Sequence, residues 1–571
     1  MPLPKTLSTS EHTDLDLKLV EGQWPDGISG EFVVVAPGPK TDEIAYQLFT
    51  EGHTIRLSLR AGTDGAASDR FAWRARKIRN PSVRLFEQCR DACAAGPAGY
   101  SSPFGMLNMA NTAVMPWGDR LLATWDVGRP VELDPVSLEF LAEAGSKRSW
   151  GQSIPVPGIL PFIFSTAHPV VDPDRDCLWT VKLSPSADHP GHVETTVVRW
   201  DGVSTEVRTW PVTGAHFSGT MHTITQTRNW LILADSGNFK PDPGEMGGGE
   251  RTVLIDYESP VFLVRKDDLE STPSGQPVPM KKFMIAPPTA HLYAVYDDAD
   301  GIRVIFENMD LEDLAIYHKP GDVDVFGERI DPSQIGLYNM AMAPSSFTEL
   351  EFDVENGKLH GRAKLREDWT WSKQLSAMDW SPAGLSAPTV HHQLVHGWRP
   401  HNVSRRALEI YKDRVDPDEL PSEETPATLF SMNRGDLEVR SRYDYPTTDG
   451  MPTSPIFVPR NPGRDRFGLE GSDPGGHDGW VVVPVLADSG LQIDVFDADA
   501  VGKGPVARLA APAGETVPLL LHSCWMPRAV PAPEVQRLRF GDDFEDSDLA
   551  LLDDGLKDAV HAVARDLDEG G

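Results

Sequence analysis

The sequence predicts an all-β fold built from many short strands. Its 49 glycines and 49 prolines fall between short apolar runs rather than in one linker, which is typical of strands joined by turns. Aspartate-rich segments at residues 171–174, 296–301 and 496–499 punctuate this pattern, and aspartate suits turns because its side chain accepts hydrogen bonds from nearby backbone amides. Strand–turn–strand units over the whole chain fit a sandwich, a barrel or a propeller.

The individual elements follow from local patterns. The candidate strands are short apolar runs bounded by turn residues, at residues 30–36, 54–59, 121–125, 177–183, 230–234, 302–307 and 479–485. Residues 546–567 predict an amphipathic helix, because apolar side chains recur there at helical spacing. We therefore expect one domain over residues 1–533, followed by an acidic tail at residues 534–571.

The composition excludes several classes of function. Hydrophobic residues make up 40% and charged residues 24%, as in soluble globular proteins. The net charge of −32 opposes binding to nucleic acid. The four cysteines are too few for a disulfide framework, and we see neither a signal peptide nor a membrane-spanning run of about 18 apolar residues. We expect a cytoplasmic protein, and no specific protein partner is evident.

Four of the 17 histidines stand where a loop is expected to meet a strand. They are His168 in Ser-Thr-Ala-His-Pro, His222 in Gly-Thr-Met-His-Thr, His291 in Thr-Ala-His-Leu-Tyr and His522 in Leu-Leu-His-Ser-Cys. Each belongs to a separate unit of the chain, and a closed radial β-fold can gather side chains from separate strands onto one axis. Such a fold could supply the ligands of a metal ion, but a single histidine near a strand is more often structural, so the residues alone leave both interpretations open.

The histidine contexts and several other segments resemble the carotenoid cleavage oxygenases, a family that includes apocarotenoid-forming enzymes, stilbene-cleaving enzymes and the retinoid isomerohydrolase. The other segments are residues 24–30, 111–114, 132–135, 455–460 and 478–480. The resemblance spans nearly the whole chain. It implies a seven-bladed β-propeller with iron on its axis, and a dome of loops and short helices over the opening.

The resemblance also implies a reaction. The four histidines would bind one Fe(II) per chain, which would use O2 to cleave a C=C bond of a carotenoid-like or apocarotenoid-like polyene into two carbonyl products. Imidazole suits iron, and four neutral ligands leave the ion its full charge. Stilbene cleavage, isomerohydrolase activity and a non-catalytic propeller that acts as a binding scaffold are the alternatives on this fold.

Around the predicted iron the sequence departs from the family pattern. Three family glutamates that accept hydrogen bonds from ligand histidines correspond in this chain to Asp126, Asp444 and Ser454. Thr223 stands where aspartate is usual, and Tyr293 where asparagine is common. Loss of such a partner typically costs about 10–100-fold in metal affinity or activity. We interpret the chain as a divergent branch of the family.

The candidate substrate tunnel is apolar. Trp125 matches the position at which stilbene-cleaving members carry a lysine. Because tryptophan cannot polarise a phenol as lysine does, this residue favours a polyene. Residues 157–164, which include Phe162 and Phe164, and residues 104–109 are expected to line the tunnel or to contact a membrane surface peripherally; packing in the core explains them equally well.

Two further segments contain rival sites. His392 and His396 have the i, i+4 spacing of a helical metal pair, but no glutamate lies between them as a metalloprotease requires. We therefore interpret their segment as part of the surface or the dome. Cys524 lies two residues after His522, so on a strand the two side chains would face the same way. A cysteine nucleophile would also need an orienting third group, so we favour a small buried packing residue.

Overall fold

The computed structural model describes residues 12–38, 46–59, 71–96, 99–378, 388–446, 450–460, 477–487, 489–513, 515 and 517–569. Over these residues the chain forms seven antiparallel β-sheets of four to six strands, which are the blades of a β-propeller. The predicted all-β, seven-bladed fold is confirmed. The innermost strands surround a central axis.

Each blade runs from an innermost strand at the axis to an outermost strand at the rim. In that order, the first three blades are β33 (Ser523–Met526), β3 (Gly30–Pro37), β4 (Gly52–Leu59), β5 (Ala72–Lys77) and β1 (His12–Asp16); β8 (Ala113–Trp117), β9 (Arg120–Thr124), β10 (Val131–Leu133) and β11 (Phe140–Glu143); and β12 (Val170–Asp172), β13 (Cys177–Pro185), β14 (Val193–Trp200) and β15 (Arg208–Phe217). The next two are β16 (Ile224–Gln226), β17 (Trp230–Ala234), β18 (Ser259–Arg265) and β19 (Lys281–Ile285); and β20 (Thr289–Ala294), β21 (Ile302–Asn308), β22 (Ser346–Asp353) and β23 (Lys358–Leu365). The last two are β24 (Lys373–Ala377), β25 (Val390–Val395), β26 (Thr428–Asn433) and β27 (Val439–Asp444); and β28 (Met451–Pro452) with β29 (Ile456–Pro459), β30 (Gly479–Ala487), β31 (Gly490–Asp497), β32 (Ala507–Ala510) and β2 (Lys18–Gly22).

The remaining elements are short. A separate hairpin joins β6 (Ala94–Gly96) and β7 (Gly99–Ser101). The α-helices of the described residues are α1 (Pro81–Gln88), α2 (Lys147–Trp150), α3 (Pro243–Met246), α4 (Lys266–Ser271), α5 (Arg405–Ile410) and α6 (Asp554–Glu569). The 3-10 turns are Gln47–Phe49, Arg90–Ala92, Pro332–Gln334, Pro400–Asn402, Pro417–Glu419, Ala498–Lys503, Phe540–Asp542 and Asp546–Leu549. Among the described residues, no helix combines the length and the apolarity that crossing a lipid bilayer requires.

Strand β3 shows why strands within a blade are continuous apolar runs in the sequence. Its side chains alternate between the two faces of the sheet, as in any strand. Phe32 and Val34 pack into one buried apolar cluster, whereas Val33 and Val35 pack into another. Because a blade between two neighbours is covered on both faces, both sets of side chains must be apolar.

The ring of blades is closed by both ends of the chain. Strand β33, which comes late in the sequence, pairs with β3 near its beginning, with Phe32 opposite Trp525. Strand β2 likewise joins the blade of β32. This closure covers edges that would otherwise present unpaired backbone groups.

The dome stands on one face of the propeller. Strands alternate in direction, so the long connections after β5, β11, β17, β21 and β25 all leave from the same face. Helix α6 packs against α1 in this dome, and Leu85, Phe104, Val560 and Val563 share one buried apolar cluster there. The tail helix therefore shares one apolar core with this part of the dome.

The tail differs from its prediction in where the helix begins. Residues 546–549 form a 3-10 turn, and α6 begins only at Asp554, because the Asp553 carboxylate accepts a hydrogen bond from the Leu556 amide (2.9 Å) and caps a new helix. The tail is held by ion pairs from Arg129 to Asp543 (2.7 Å) and from Lys147 to Asp548 (2.7 Å). Acidic residues of the tail thus form ion pairs with basic residues of the propeller and dome.

Candidate metal centre

The dome-side ends of four inner strands bring four histidines together. His168 directly precedes β12, His222 precedes β16, His291 lies on β20 and His522 precedes β33. Their ring centroids are 4.0–6.2 Å apart, and one ring nitrogen of each lies within 4.8 Å of the others. The backbone fixes part of this geometry, because the His168 amide donates to the His222 carbonyl (3.1 Å). The four side chains converge as expected from the sequence.

His168 and His522 are held in the neutral form that a metal ligand needs. Burial lowers the pKa of His168 well below its usual value, and the neighbouring His522, His222 and His291 lower it further. Burial and the other imidazoles also lower the pKa of His522. The Nε2 atoms of His168 and His522 are only 3.1 Å apart, a separation that a shared cation would stabilise.

Two carboxylates orient two of the rings. His222 Nδ1 lies 2.9 Å from Asp126 Oδ1, which is the contact that the sequence predicts for Asp126. His291 Nδ1 lies 3.2 Å from Glu307 Oε2. An Nδ1–H that donates to a carboxylate leaves the Nε2 lone pair for a metal ion.

Sequence reasoning missed Glu307. The residue is fully buried and stands directly opposite His291 in the register of β20 and β21. The candidate strand at residues 302–307 already ended on this glutamate, and a buried acid at a strand end was the available signal. Its partner was hidden because pairing register is a property of the folded sheet.

Asp444 is not part of the centre, so that prediction is wrong. The residue ends β27, the outermost strand of its blade, where its carboxylate accepts from Thr428 Oγ1 (2.8 Å) and pairs with Arg442 (2.8 Å). Its side chain is 36% exposed. Three strands separate this position from the axis, which a motif match along the sequence cannot reveal.

Ser454 has a different role from the predicted one. It is fully buried beside the His522 segment, but its hydroxyl donates to the Leu521 carbonyl, and its own carbonyl accepts from Ser523 Oγ (3.2 Å). Within the described contacts it orients the backbone next to His522 instead of accepting a hydrogen bond from an imidazole. This correction leaves His222 and His291 as the rings with a carboxylate partner among the described contacts.

Thr223 and Tyr293 lie beside the histidines. Thr223 forms a β-bridge with His168, and its buried hydroxyl has no hydrogen-bond partner within the described part of the chain. Burial raises the pKa of the Tyr293 phenol well above its usual value, and the charge of Glu307 raises it further. Tyr293 therefore stays protonated next to that carboxylate.

The three predicted tunnel residues lie in the apolar dome layer. Trp125 is buried and meets Phe49 edge-on at 6.3 Å between centroids, while Phe162 and Phe164 meet at 4.9 Å. Trp125 and Phe164 belong to the same apolar cluster as the tail helix. Lining a substrate tunnel remains a prediction for all three.

The two rival sites are occupied by ordinary structural contacts. His392 lies on β25 and bonds Ser431 Oγ (2.7 Å), and His396 follows that strand and bonds the Pro452 carbonyl (3.0 Å). Because His392 lies on a strand and not on a helix, the two side chains do not face the same way as a helical i, i+4 pair would. A helical metal pair is therefore ruled out. Cys524 is fully buried in an apolar cluster, and burial raises the pKa of its thiol.

A channel runs along the propeller axis below the centre. His168, His291 and His522 line its inner end, and Gly118, Pro173, Tyr296, Met378 and Pro527 line its outer end, on the face opposite the dome. It encloses about 1400 Å³, including its open mouth. Its walls are six of the inner strands and Pro455 of the seventh blade.

Comparison with known protein families gives one broad match. The family model described as RPE65, retinal pigment epithelial membrane protein, matches residues 6–527. The chain is 30% identical over 143 residues to carotenoid cleavage dioxygenase 7, chloroplastic, of Oryza sativa subsp. japonica, which covers 22% of each chain. It is also 30% identical over 170 residues to resveratrol cleavage oxygenase 1 of Botryotinia fuckeliana (strain B05.10), covering 29% of this chain and 27% of that protein. The matched segments thus span about a quarter of each relative's length.

Solved structures share the fold over most of the chain. Cobalt-substituted Synechocystis apocarotenoid oxygenase superimposes with a TM-score of 0.57 at 17% identity, covering 91% of this chain and 97% of that one. Pseudomonas brassicacearum lignostilbene dioxygenase gives a TM-score of 0.59 at 17% identity, covering 92% and 100%. At these identities the likeness concerns the fold alone.

Proposed function

The chain belongs to the RPE65 family of carotenoid cleavage oxygenases, and on that premise we propose that it is a non-haem Fe(II) dioxygenase. Its substrate is an apolar alkene, a carotenoid-like or apocarotenoid-like polyene, and its products are two carbonyl compounds. The observation that carries the proposal is the convergence of His168, His222, His291 and His522. Bound Fe(II) would supply the site at which O2 reacts with the double bond.

The donor set fits this ion. Four imidazoles are ligands that iron accepts, and they leave two positions of an octahedral ion for small molecules. The two carboxylates at His222 and His291 offset the charge of a divalent ion and fix two ring orientations. The low pKa of His168 and His522 keeps those rings available for a metal at neutral pH.

The surrounding residues support an apolar substrate. Trp125 and Phe164 belong to the apolar cluster of the dome, and such rings would exclude water and offer contact area to a polyene. No proton donor is required for oxidative cleavage of an alkene. The task of the protein is to hold one double bond at the centre and keep bulk water away.

Iron content tests the proposal. The wild type is loaded with Fe(II) without oxygen, alongside His222→Ala, His522→Ala and the control His360→Ala, an exposed histidine on β23. We expect about one iron per chain in the wild type and the control, and loss of iron in the two centre variants. Product analysis with apocarotenals and stilbenes then identifies the substrate class. A wild type that binds no iron would contradict the proposal and favour a non-catalytic binding propeller.

A further inference from the structure

We infer that a cavity beside the histidine centre holds an oxygen-bearing end of the substrate, and that Gln334 recognises this end by donating a hydrogen bond to it. The inference rests on the proposed function, because it narrows that reaction's substrate to an apolar alkene with an uncharged oxygen group. Aldehydes, ketones and alcohols all have such a group. The cavity is lined in part by the connections that follow β21 and β25, so it lies on the dome side of the propeller.

The walls of the cavity are largely apolar. Leu337, Met451 and Leu519 line it and share one apolar cluster, and Met340 of the dome lines it as well. The cavity encloses about 520 Å³, including its open mouth, which is within the usual range of about 300–1,000 Å³ for small-molecule sites. Methionine side chains adapt to irregular ligands because they are unbranched and flexible. These walls suit the hydrocarbon part of an alkene.

Two chain segments lead from the cavity to the histidine centre. Leu519 lines the cavity, and His522 follows three residues later, so their Cα atoms are at most about 11 Å apart. Pro452 also lines the cavity, and the next residue, Thr453, donates from its Oγ1 to the Leu520 carbonyl (3.0 Å). The two segments therefore lie side by side between the cavity and the centre. At this separation one substrate molecule can have its oxygen-bearing end in the cavity and its double bond at the histidines.

Gln334 gives the cavity a hydrogen-bond donor. The side chain is buried and lines the cavity, and its Nε2 has no hydrogen-bond partner within the part of the chain that the structure describes. A buried donor that stays unpaired lowers stability, so the arrangement favours a ligand that accepts a hydrogen bond from it. An oxygen group can accept this bond, whereas a hydrocarbon cannot.

The charges around the cavity favour an uncharged oxygen group over a carboxylate. Arg399, the one guanidinium among the described residues that line the cavity, pairs with Glu424 at 3.2 Å. Burial lowers the pKa of His396, which also lines the cavity, to about 3, so this residue carries no positive charge at neutral pH. A carboxylate would enter without an unpaired cation to offset its charge, and burying an unpaired charge is costly.

Binding of matched ligands to the iron-free protein tests the inference. The ligands are a conjugated polyene aldehyde and the alcohol, the carboxylic acid and the hydrocarbon of the same chain length, and quenching of tryptophan fluorescence gives each dissociation constant. Gln334→Leu removes the donor at similar volume, and Gln276→Leu makes the same change at an exposed glutamine as the matched control. Urea unfolding of both variants checks the fold, and Gln334→Leu should keep its stability because it removes a group without a described partner.

We expect the wild type to bind the aldehyde or the alcohol at least about tenfold more tightly than the hydrocarbon and the acid. Gln334→Leu should lose this preference and bind the hydrocarbon as the wild type does, while Gln276→Leu should behave as the wild type throughout. Equal binding of all four ligands, tightest binding of the acid, or a preference that survives in Gln334→Leu would overturn the inference. The wild-type comparison decides even if the variant does not fold. Because the binding experiment contains no iron, a failure to load iron would reject the proposed function without changing this result.

Discussion

Glu307 is a residue whose substitution should weaken the proposed metal centre without removing a ligand. Glu307→Gln keeps the shape of the side chain but loses the negative charge opposite His291. We expect iron affinity to fall by about 10–100-fold, as is typical when a ligand histidine loses its carboxylate. Competition with an iron chelator measures the change.

Asp444→Asn is the matched control for that experiment. It removes a carboxylate that the sequence pattern had assigned to the centre but that lies on the outer strand β27. Iron affinity should not change in this variant. An equal loss in both variants would mean that the effect is one of overall charge rather than of contact with His291.

The residues that sequence predicted correctly are those that local context identifies. Three of the four histidines stand at loop–strand junctions and His291 lies on β20, while Asp126 directly follows a strand and a buried tryptophan. Glu307 and Asp444 show the limit of that approach. Whether a carboxylate faces the axis depends on which strand is innermost and on its register, and neither property is local.

Among contacts between elements, His396 directly follows β25 at its dome-side end and bonds the Pro452 carbonyl. This bond links β25 to β28 of the next blade. Burial lowers the pKa of His396 from 6.5 to about 3. Because the folded-state pKa is the lower one, the unfolded chain takes up the proton first as the pH falls below 6.5. The stability from this residue is complete above that pH and is lost towards pH 3.

We therefore predict that His396→Gln reduces the acid sensitivity of the fold. Glutamine can still donate a hydrogen bond but does not titrate. One group contributes about 1.4 kcal/mol per pH unit, so the loss of unfolding free energy between about pH 7 and 5 should shrink by about 2 kcal/mol. Urea unfolding at the two pH values measures this difference. The same slope in the variant and the wild type would contradict the pKa assignment, and His360→Gln serves as an exposed control.

The elements were predictable to different degrees. Strands such as β13 and β17 could be predicted from the sequence, because a strand that is covered on both faces of its sheet is an unbroken apolar run. The tail was correctly predicted to contain a helix, but the start of the helix was placed too early. The helical spacing of apolar residues continues through the 3-10 turn, and only the Asp553 cap marks where the helix begins. Caps are contacts of single side chains, so periodicity does not reveal them.

At the scale of the whole molecule, the tail is attached through a buried ion pair. Arg129 and Asp543 side chains are 3% and 5% exposed and 2.7 Å apart. Asp543→Asn leaves a buried guanidinium with one charged partner fewer, and breaking such pairs costs about 3–5 kcal/mol. We expect the free energy of unfolding to fall by about 3 kcal/mol, at the lower end of this range, because Glu143 still pairs with Arg129. Urea unfolding measures it.

The neighbouring Asp542 provides the control. It is exposed and ends the 3-10 turn that Asp543 follows, so Asp542→Asn removes the same charge without affecting the contact with Arg129. Its stability should match that of the wild type within about 0.5 kcal/mol. If the two variants lose equal stability, the tail is held by general charge attraction instead of by the Arg129 contact.

The closure of the ring determines when the centre can exist. Strand β33 pairs with β3, and His522 stands directly before β33, 354 positions after His168. During synthesis, three of the four histidines therefore leave the ribosome long before the fourth, and the complete set assembles only when the closing strand docks. A chain that stops short of that strand keeps most of its blades but can offer at most three ligands. On the proposed function, iron binding by all four ligands therefore requires that the closing strand has docked.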